Sequence, residues 1–282
     1  MADTKDVAQH CLRGSDEERY TGGYGPLIIQ ALSRRHAVKQ AAFFLPHLRS
    51  GMSLLDCGCG PGVLTVDLAE VVAPSNVVGI DINANQFEVG KAYAKEKGIS
   101  NIRFEVGDVY DIPFPDSSFD AAFAHAVLYH LSDPRKALRE VLRVLRPGGI
   151  VGVRDADSGG NVFAPSNPTL DQAWNLIDKV LIYNGGNPVF GSSHRAVLHE
   201  VGFVRVEASA SYDSWGTPEA TQKGGEFWAD FVLQPQIADV IMQQGWATRS
   251  ELDRMSAAFK EWGEHPDAFF ARTRCEAVGW KE

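Results

Sequence analysis

The sequence predicts an α/β fold, a doubly wound parallel sheet with helices on both faces. Three observations predict it. Between residues 53 and 154, strand-like and helix-like periods alternate with short connections, the pattern of a parallel sheet. A glycine-rich turn, Gly58-Cys59-Gly60-Pro61-Gly62, directly follows the first strand. Acids recur where successive strands end, at Asp56, Asp81 and Asp108.

Ser53-Leu54-Leu55-Asp56 is a short apolar run of the kind buried on both faces. Val63 to Val72 carries an apolar stripe at helical spacing, stopped by Ala73-Pro74-Ser75-Asn76. Val77–Asp81 is the second strand, and Asn83–Lys97 a helix that Gly98 ends. Ile102–Val106 alternates as a third strand, and Phe119–Ala124 is the fourth. Asp133-Pro134 opens a helix through Leu145, closed by Pro147-Gly148-Gly149, and Ile150–Arg154 is the fifth strand. A turn-rich connection leads to helices at Leu170–Tyr183 and Ser193–Glu200, and Phe203–Ala208 alternates as a sixth strand. Ser214–Glu264 reads as helical, and Ala268–Trp280 as a final strand.

At 282 residues the chain has room for one large domain or two small ones, and 44% hydrophobic residues suffice for a core. A net charge of −9 argues against nucleic acid and against an anionic membrane as partner. Met1–His10 is polar, and no apolar run approaches a membrane span. A cytoplasmic protein is expected. Cys11, Cys57, Cys59 and Cys275 lack partners at zinc-ligand spacing, so no metal is expected and the loop cysteines read as packing residues.

Glycines after the first strand let the backbone approach a ligand closely. The spacing here is G-x-G-x-G, with Asp56 just before it. A carboxylate there repels a pyrophosphate but suits an ammonium group. Asp81 falls about 20 residues on, where an acid accepts from ribose hydroxyls. Gly107-Asp108 at the third strand end is placed for an adenine amine. The three acids match amine, ribose and adenine, with no phosphate.

Met52–Arg154 resembles the core of class I S-adenosylmethionine-dependent methyltransferases. It is most similar to the small-molecule branch (methyltransferase type 11) that holds the ubiquinone and menaquinone biosynthesis enzymes. The resemblance rests on Asp56–Gly62, Asp81, Asp108, Ile112–Asp120 (IPFPDSSFD), Val127–Leu131 (VLYHL) and Leu145–Gly149 (LRPGG). It implies a Rossmann-like seven-stranded sheet whose last strand is antiparallel. It implies S-adenosylmethionine as cofactor and S-adenosylhomocysteine as product. The contacts it implies are Tyr24, Asp56, Gly58, Cys59, Gly60, Gly62, Asp81, Ile82, Gln86, Gly107, Asp108, Val109 and His125.

Strand direction places the connections after the fifth and sixth strands over the ligand edge. The expected organisation is an N-terminal helical lid (1–50), a core (51–210 and 268–282), and insertions 155–192 and 211–267 capping the active site. Tyr20, Tyr129, Arg154, Trp215, Phe227 and Trp228 are the candidate acceptor contacts, although helical aromatics also serve to pack lids onto a sheet. Asp155, His194, Arg195 and Tyr212 are further polar candidates. His125 and His130, near the fourth strand end, are the candidate general bases; each also reads as a partner of a loop carbonyl, His130 more than His125.

The expected activity is methyl transfer to carbon or oxygen of a small acceptor: a phenol, quinol, enol or polyketide-like compound of quinone or secondary metabolism. A homodimer is a candidate assembly. Two alternatives keep the cofactor: non-methylating chemistry and non-catalytic sensing. A nicotinamide-dependent oxidoreductase instead requires G-x-G-x-x-G and explains neither Asp56 nor Asp108.

Overall fold

The computed structural model describes residues 19–282. Met1–His10, Cys11 and the first part of the expected lid lie outside them. The first half of the sheet follows the expected order. Strands β1 (Leu54–Cys57), β2 (Val77–Asp81), β3 (Ile102–Val106), β4 (Phe119–His125) and β5 (Leu145–Ala156) pair in parallel in the order β3-β2-β1-β4-β5. The order reverses beside β1, so the crevice for a ligand opens at the carboxyl ends of β1 and β4.

Local chemistry explains the helix boundaries. Gly62, in the left-handed conformation, precedes α3 (Val63–Val72), and Gly98 closes α4 (Phe87–Lys97) in the same conformation. Asp133 caps α5 (Pro134–Val144) by accepting from Lys136 N, with Pro134 in the first turn. Val63, Val66, Leu68, Ala69 and Val72 bury the face of α3 that the periodicity marks.

The second half departs from seven strands. The sheet has eight, because Val162–Ala164 forms a short strand, β6, in the stretch read as turns. The sixth expected strand becomes β7 (Arg205–Trp215), running past Ala208 to Trp215. Its Ser-Ala-Ser-Tyr alternation is a weak strand signal, and Ser214 belongs to the strand and not to a helix. β8 (Phe269–Trp280) is antiparallel and lies between β7 on one edge and β5 followed by β6 on the other.

The helical stretch divides into α8 (Pro218–Val232), α9 (Pro235–Gln243) and α10 (Arg249–Glu264), each opening near a proline or a capping box. With α6 (Pro168–Tyr183) and Ile28 they share one apolar core around Trp228, Phe259 and Trp262. α7 (His194–Val201) packs with α5 on the core shared with β4 and β5. Among the described residues no helix is long and apolar enough to cross a membrane.

The N-terminal segment carries α1 (Pro26–Leu32) and α2 (Ala37–Gln40) across one sheet face. Phe44 stacks on Phe123 at 5.5 Å between centroids. A side chain at Gly152 would meet the Phe44 ring at 2.6 Å, so only glycine lets the segment lie that close. At its start, Thr21 Oγ1 accepts from Asn184 Nδ2 at 3.0 Å, tying the segment to the end of α6.

Candidate active site

The glycine loop shapes the floor of the site. Gly58 N and Cys59 N donate to Ile80 O at 2.8 and 2.9 Å, folding the turn over the end of β2. Gly58 and Gly62 have positive φ. A Cβ would lie 2.5 Å from Val127 at Gly58 and 2.3 Å from Phe104 at Gly62. Gly58 and Gly62 are glycines because these neighbours leave no room for a side chain there.

Three acids stand around a cavity of about 370 Å³ lined by the loop, the strand ends and the N-terminal segment. Asp56 is buried and accepts from Thr65 Oγ1 at 2.6 Å. Burial outweighs that bond and pushes its pKa up to about 7. Asp81 accepts from Gly60 N and Asn83 N, each at 3.0 Å, and burial raises its pKa too. Asp108 accepts from Tyr110 N at 2.8 Å. Gln86, 2% exposed, lines the same cavity, and its Oε1 has no hydrogen-bond partner. These acceptors want hydroxyl, amine and ammonium donors, which a nucleoside joined to an amino acid supplies.

Comparison with known proteins agrees. A methyltransferase-domain family model matches residues 48–183. The Aspergillus luteorubrus protein named "Probable methyltransferase ltbC" is 30% identical, over 93% of this chain and 97% of its own length. The chain belongs to the class I S-adenosylmethionine-dependent methyltransferases. The demethylmenaquinone methyltransferase of Lactococcus lactis is 33% identical over 62% of this chain and 66% of its own. The solved YcgJ protein of Bacillus subtilis shares the fold, with a TM-score of 0.58 at 21% identity over 86% of this chain and 98% of its own. S-adenosylmethionine is the cofactor of this methyltransferase. The carboxylates just described suit the ammonium, hydroxyl and amine donors of that cofactor.

All the expected cofactor contacts line the cavity: Tyr24, Asp56, Gly58, Cys59, Gly60, Gly62, Asp81, Ile82, Gln86, Gly107, Asp108, Val109 and His125. His130 and Tyr20 line it as well. The rings of Tyr20 and His130 meet edge-on at 4.7 Å, and Tyr20 lies 5.3 Å from Tyr24. Burial raises the Tyr20 hydroxyl and pushes Tyr24 up to about 12, so both stay protonated as hydrogen-bond donors.

The remaining expected acceptor contacts lie elsewhere. Trp215 stacks on Phe270 at 5.2 Å, Trp228 meets Trp174 edge-on at 4.6 Å, and Phe227 packs on Trp228 at 4.9 Å. All three belong to the core beneath the cap helices and are absent from the cavity lining. The connections after β5 and β7 bury their aromatics against one another, and the N-terminal segment covers the cavity instead. Tyr129 is buried beside the His130 ring, 4.0 Å away, behind the lining. His194 pairs with Asp155 at 2.9 Å in the core, while Arg195 and Tyr212 face solvent.

Arg154 is also behind the lining, 1% exposed. Its guanidinium donates to Glu276 Oε1 at 2.9 Å, Ser211 Oγ at 3.1 Å and His125 Nε2 at 3.0 Å. Burial, then Arg35, Arg154 and Arg274, hold His125 well below the usual imidazole range. Burial, Arg272, Arg35 and Arg274 push His130 down to about 3, and its Nδ1 has no partner.

Leu32 and Arg35, from the end of α1 and the turn after it, also line the cavity. Nothing in their local sequence marks them. The Arg-x-Arg-x-Glu alternation of Arg272, Arg274 and Glu276 on β8 was a legible sign of a polar stripe on a buried strand.

Proposed function

We propose that this methyltransferase acts on an oxygen or carbon of a small organic acceptor. The observation that carries the reading is the wall of Tyr20, Tyr24, Leu32 and His130 beside the acids that suit the cofactor. A concave site with aromatic and apolar walls and few polar groups suits a drug-sized organic molecule. The name of the Lactococcus lactis relative, a demethylmenaquinone methyltransferase, is compatible with such an acceptor.

When bound, S-adenosylmethionine supplies a methyl group on a sulfonium centre. The chain's own residues then have three tasks. The N-terminal segment excludes water and holds the acceptor in line. Tyr20 donates to an acceptor oxygen. The neutral His130 ring, through the nitrogen other than its covered Nδ1, accepts from the nucleophile's hydroxyl and orients it. Its low basicity favours an acidic nucleophile, a phenol or enol, over an aliphatic alcohol.

Two measurements test this. Thermal melting with S-adenosylhomocysteine and NADH separately is expected to show a rise with the first alone; ligand at about 100 times Kd adds about 2.7 kcal/mol. Incubation of S-adenosylmethionine with a panel of phenols, quinols and enols is expected to give methylated product by mass. Cofactor turnover without a gain of one methylene in any product would favour the non-methylating alternative.

A further inference from the structure

One polar strip on the sheet, buried at Arg154, Arg274, Glu276 and Asp213, extends the site. β8 residues Arg272, Arg274 and Glu276 share a face, since side chains alternate along a strand. Opposite them on β7 stand Asp213, Ser211 and Ser209, and opposite Glu276 on β5 stands Arg154, itself opposite His125 on β4. The strip therefore begins at a residue of the cavity wall and runs across β5, β8 and β7 under the N-terminal segment, whose Lys39 reaches Asp213 at 3.4 Å.

Its cations outnumber its partners. Glu276 is taken by Arg154, and Asp213 by Arg274 at 2.8 Å and Arg154 at 3.4 Å. Arg274 is 4% exposed, and its Nη1 has no partner. Arg272 stands over the Trp228 ring at 5.6 Å, and Arg35 lines the cavity; neither makes an ion pair among the described residues. Asp178, the remaining nearby acid, bonds Ser158 and pairs with none of them. Arg154, Arg272, Arg274 and Arg35, with Lys39 at Asp213, thus outnumber Glu276, Asp213 and Asp178 along the strip. Buried donors left open favour an anion that fills them.

We propose that the methyl acceptor carries a carboxylate, received by Arg35 with Arg272 and Arg274 supplying positive charge behind it. A planar carboxylate matches the fork of a guanidinium. The neighbouring Tyr20 and Leu32 suit the organic remainder. This inference rests on reading the cavity as the acceptor site.

The test uses the described enzyme saturated with S-adenosylhomocysteine, whose binding is measured first by calorimetry. Benzoate is then compared with benzamide, and acetate with acetamide, by NMR titration at constant ionic strength. At least about tenfold tighter binding of the carboxylate is expected in one pair. Arg35→Gln is expected to abolish the preference and Arg35→Lys to restore part of it. If Arg35→Gln does not fold, Arg272→Gln is expected to weaken the preference. Equal affinity within both pairs, binding of none of the four, or a preference untouched by these substitutions overturns the proposal. Loss of S-adenosylhomocysteine binding in the wild type would instead overturn the cofactor reading beneath it.

Discussion

Arg154 Nη1 lies 3.0 Å from His125 Nε2, which fixes the proton of that histidine. A guanidinium only donates, so Nε2 accepts and the imidazole carries its hydrogen on Nδ1. His125 is therefore expected to remain the neutral Nδ1–H tautomer from about pH 5 to about pH 8 in nitrogen NMR. Conversion to imidazolium within that window would show that Arg154 does not hold it.

His130 lines the cavity with its ring between Tyr20 and Tyr129. Because its pKa in the folded protein is about 3, turnover is expected to show no acid limb from its titration above about pH 5. His130→Ala is expected to lower kcat by about 10²-fold, the lower end for a lost acid–base contact. Binding of S-adenosylhomocysteine should change little. Unchanged turnover with a lower Tm would mean the ring only packs between Tyr20 and Tyr129.

Asp56 links cofactor binding to protons. Its raised pKa means that the folded protein holds a proton the unfolded chain has lost between about pH 4 and about pH 7. Its contribution to stability is thus largest below that window, declines across it and is flat above. An ammonium group beside Asp56 favours the ionised form. Calorimetry in buffers of differing ionisation enthalpy should show proton release on S-adenosylhomocysteine binding at about pH 6 and almost none at about pH 8. Asp56→Asn should abolish the release.

Removing Arg154 would leave Glu276 and part of Asp213 buried without their cation. Arg154→Met is expected to destabilise by about 3–5 kcal/mol, read as a fall in Tm of roughly 10 °C for a chain of this size. Arg154→Met with Glu276→Leu should recover part of the loss. The arginines around Asp213 hold its carboxyl far below the usual range, so its stabilising contribution is present above about pH 4 and declines only as pH falls toward the folded value.

Gly62→Ala tests the loop. The new methyl would fall 2.3 Å from Phe104 in a left-handed backbone. A fall in Tm of several degrees and at least tenfold weaker S-adenosylhomocysteine binding are expected, about 1.4 kcal/mol in affinity. Gly98→Ala, which meets nothing within 4 Å, serves as the control for φ alone.

The parallel half of the sheet was legible because β1 and β2 are short apolar runs ended by an acid or glycine and β3 alternates up to Gly107. Buried strands such as Leu54–Cys57 and Val77–Asp81 carry that signal strongly. The antiparallel half was less so. β7 is mostly exposed along its length, so hydrophobicity did not mark its end at Trp215. The cofactor side of the cavity follows from spacing, since the loop and the acids lie close in sequence to the strands that present them. The acceptor side does not. Arg35 reaches the cavity from a turn, and Arg154 meets Glu276 across 122 residues. The aromatics of α8 carried no mark distinguishing a cavity wall from helix packing, and Trp228 is packed against Trp174.

The place of β8 in the sheet has a consequence for the integrity of the chain. The turn between α9 and α10, around Gly245, is exposed, while the strand that follows α10 is clasped on both edges by β5 and β7. A single cut in that turn would sever the backbone without freeing either piece. The later fragment, α10 with β8, is stitched into the earlier one by three hydrogen-bonded ladders, to β5, β6 and β7, and by the Arg154–Glu276 pair. The nicked protein would migrate as one species until denatured. The two fragments, made separately, are suited to reassembly as a split enzyme whose activity reports their meeting.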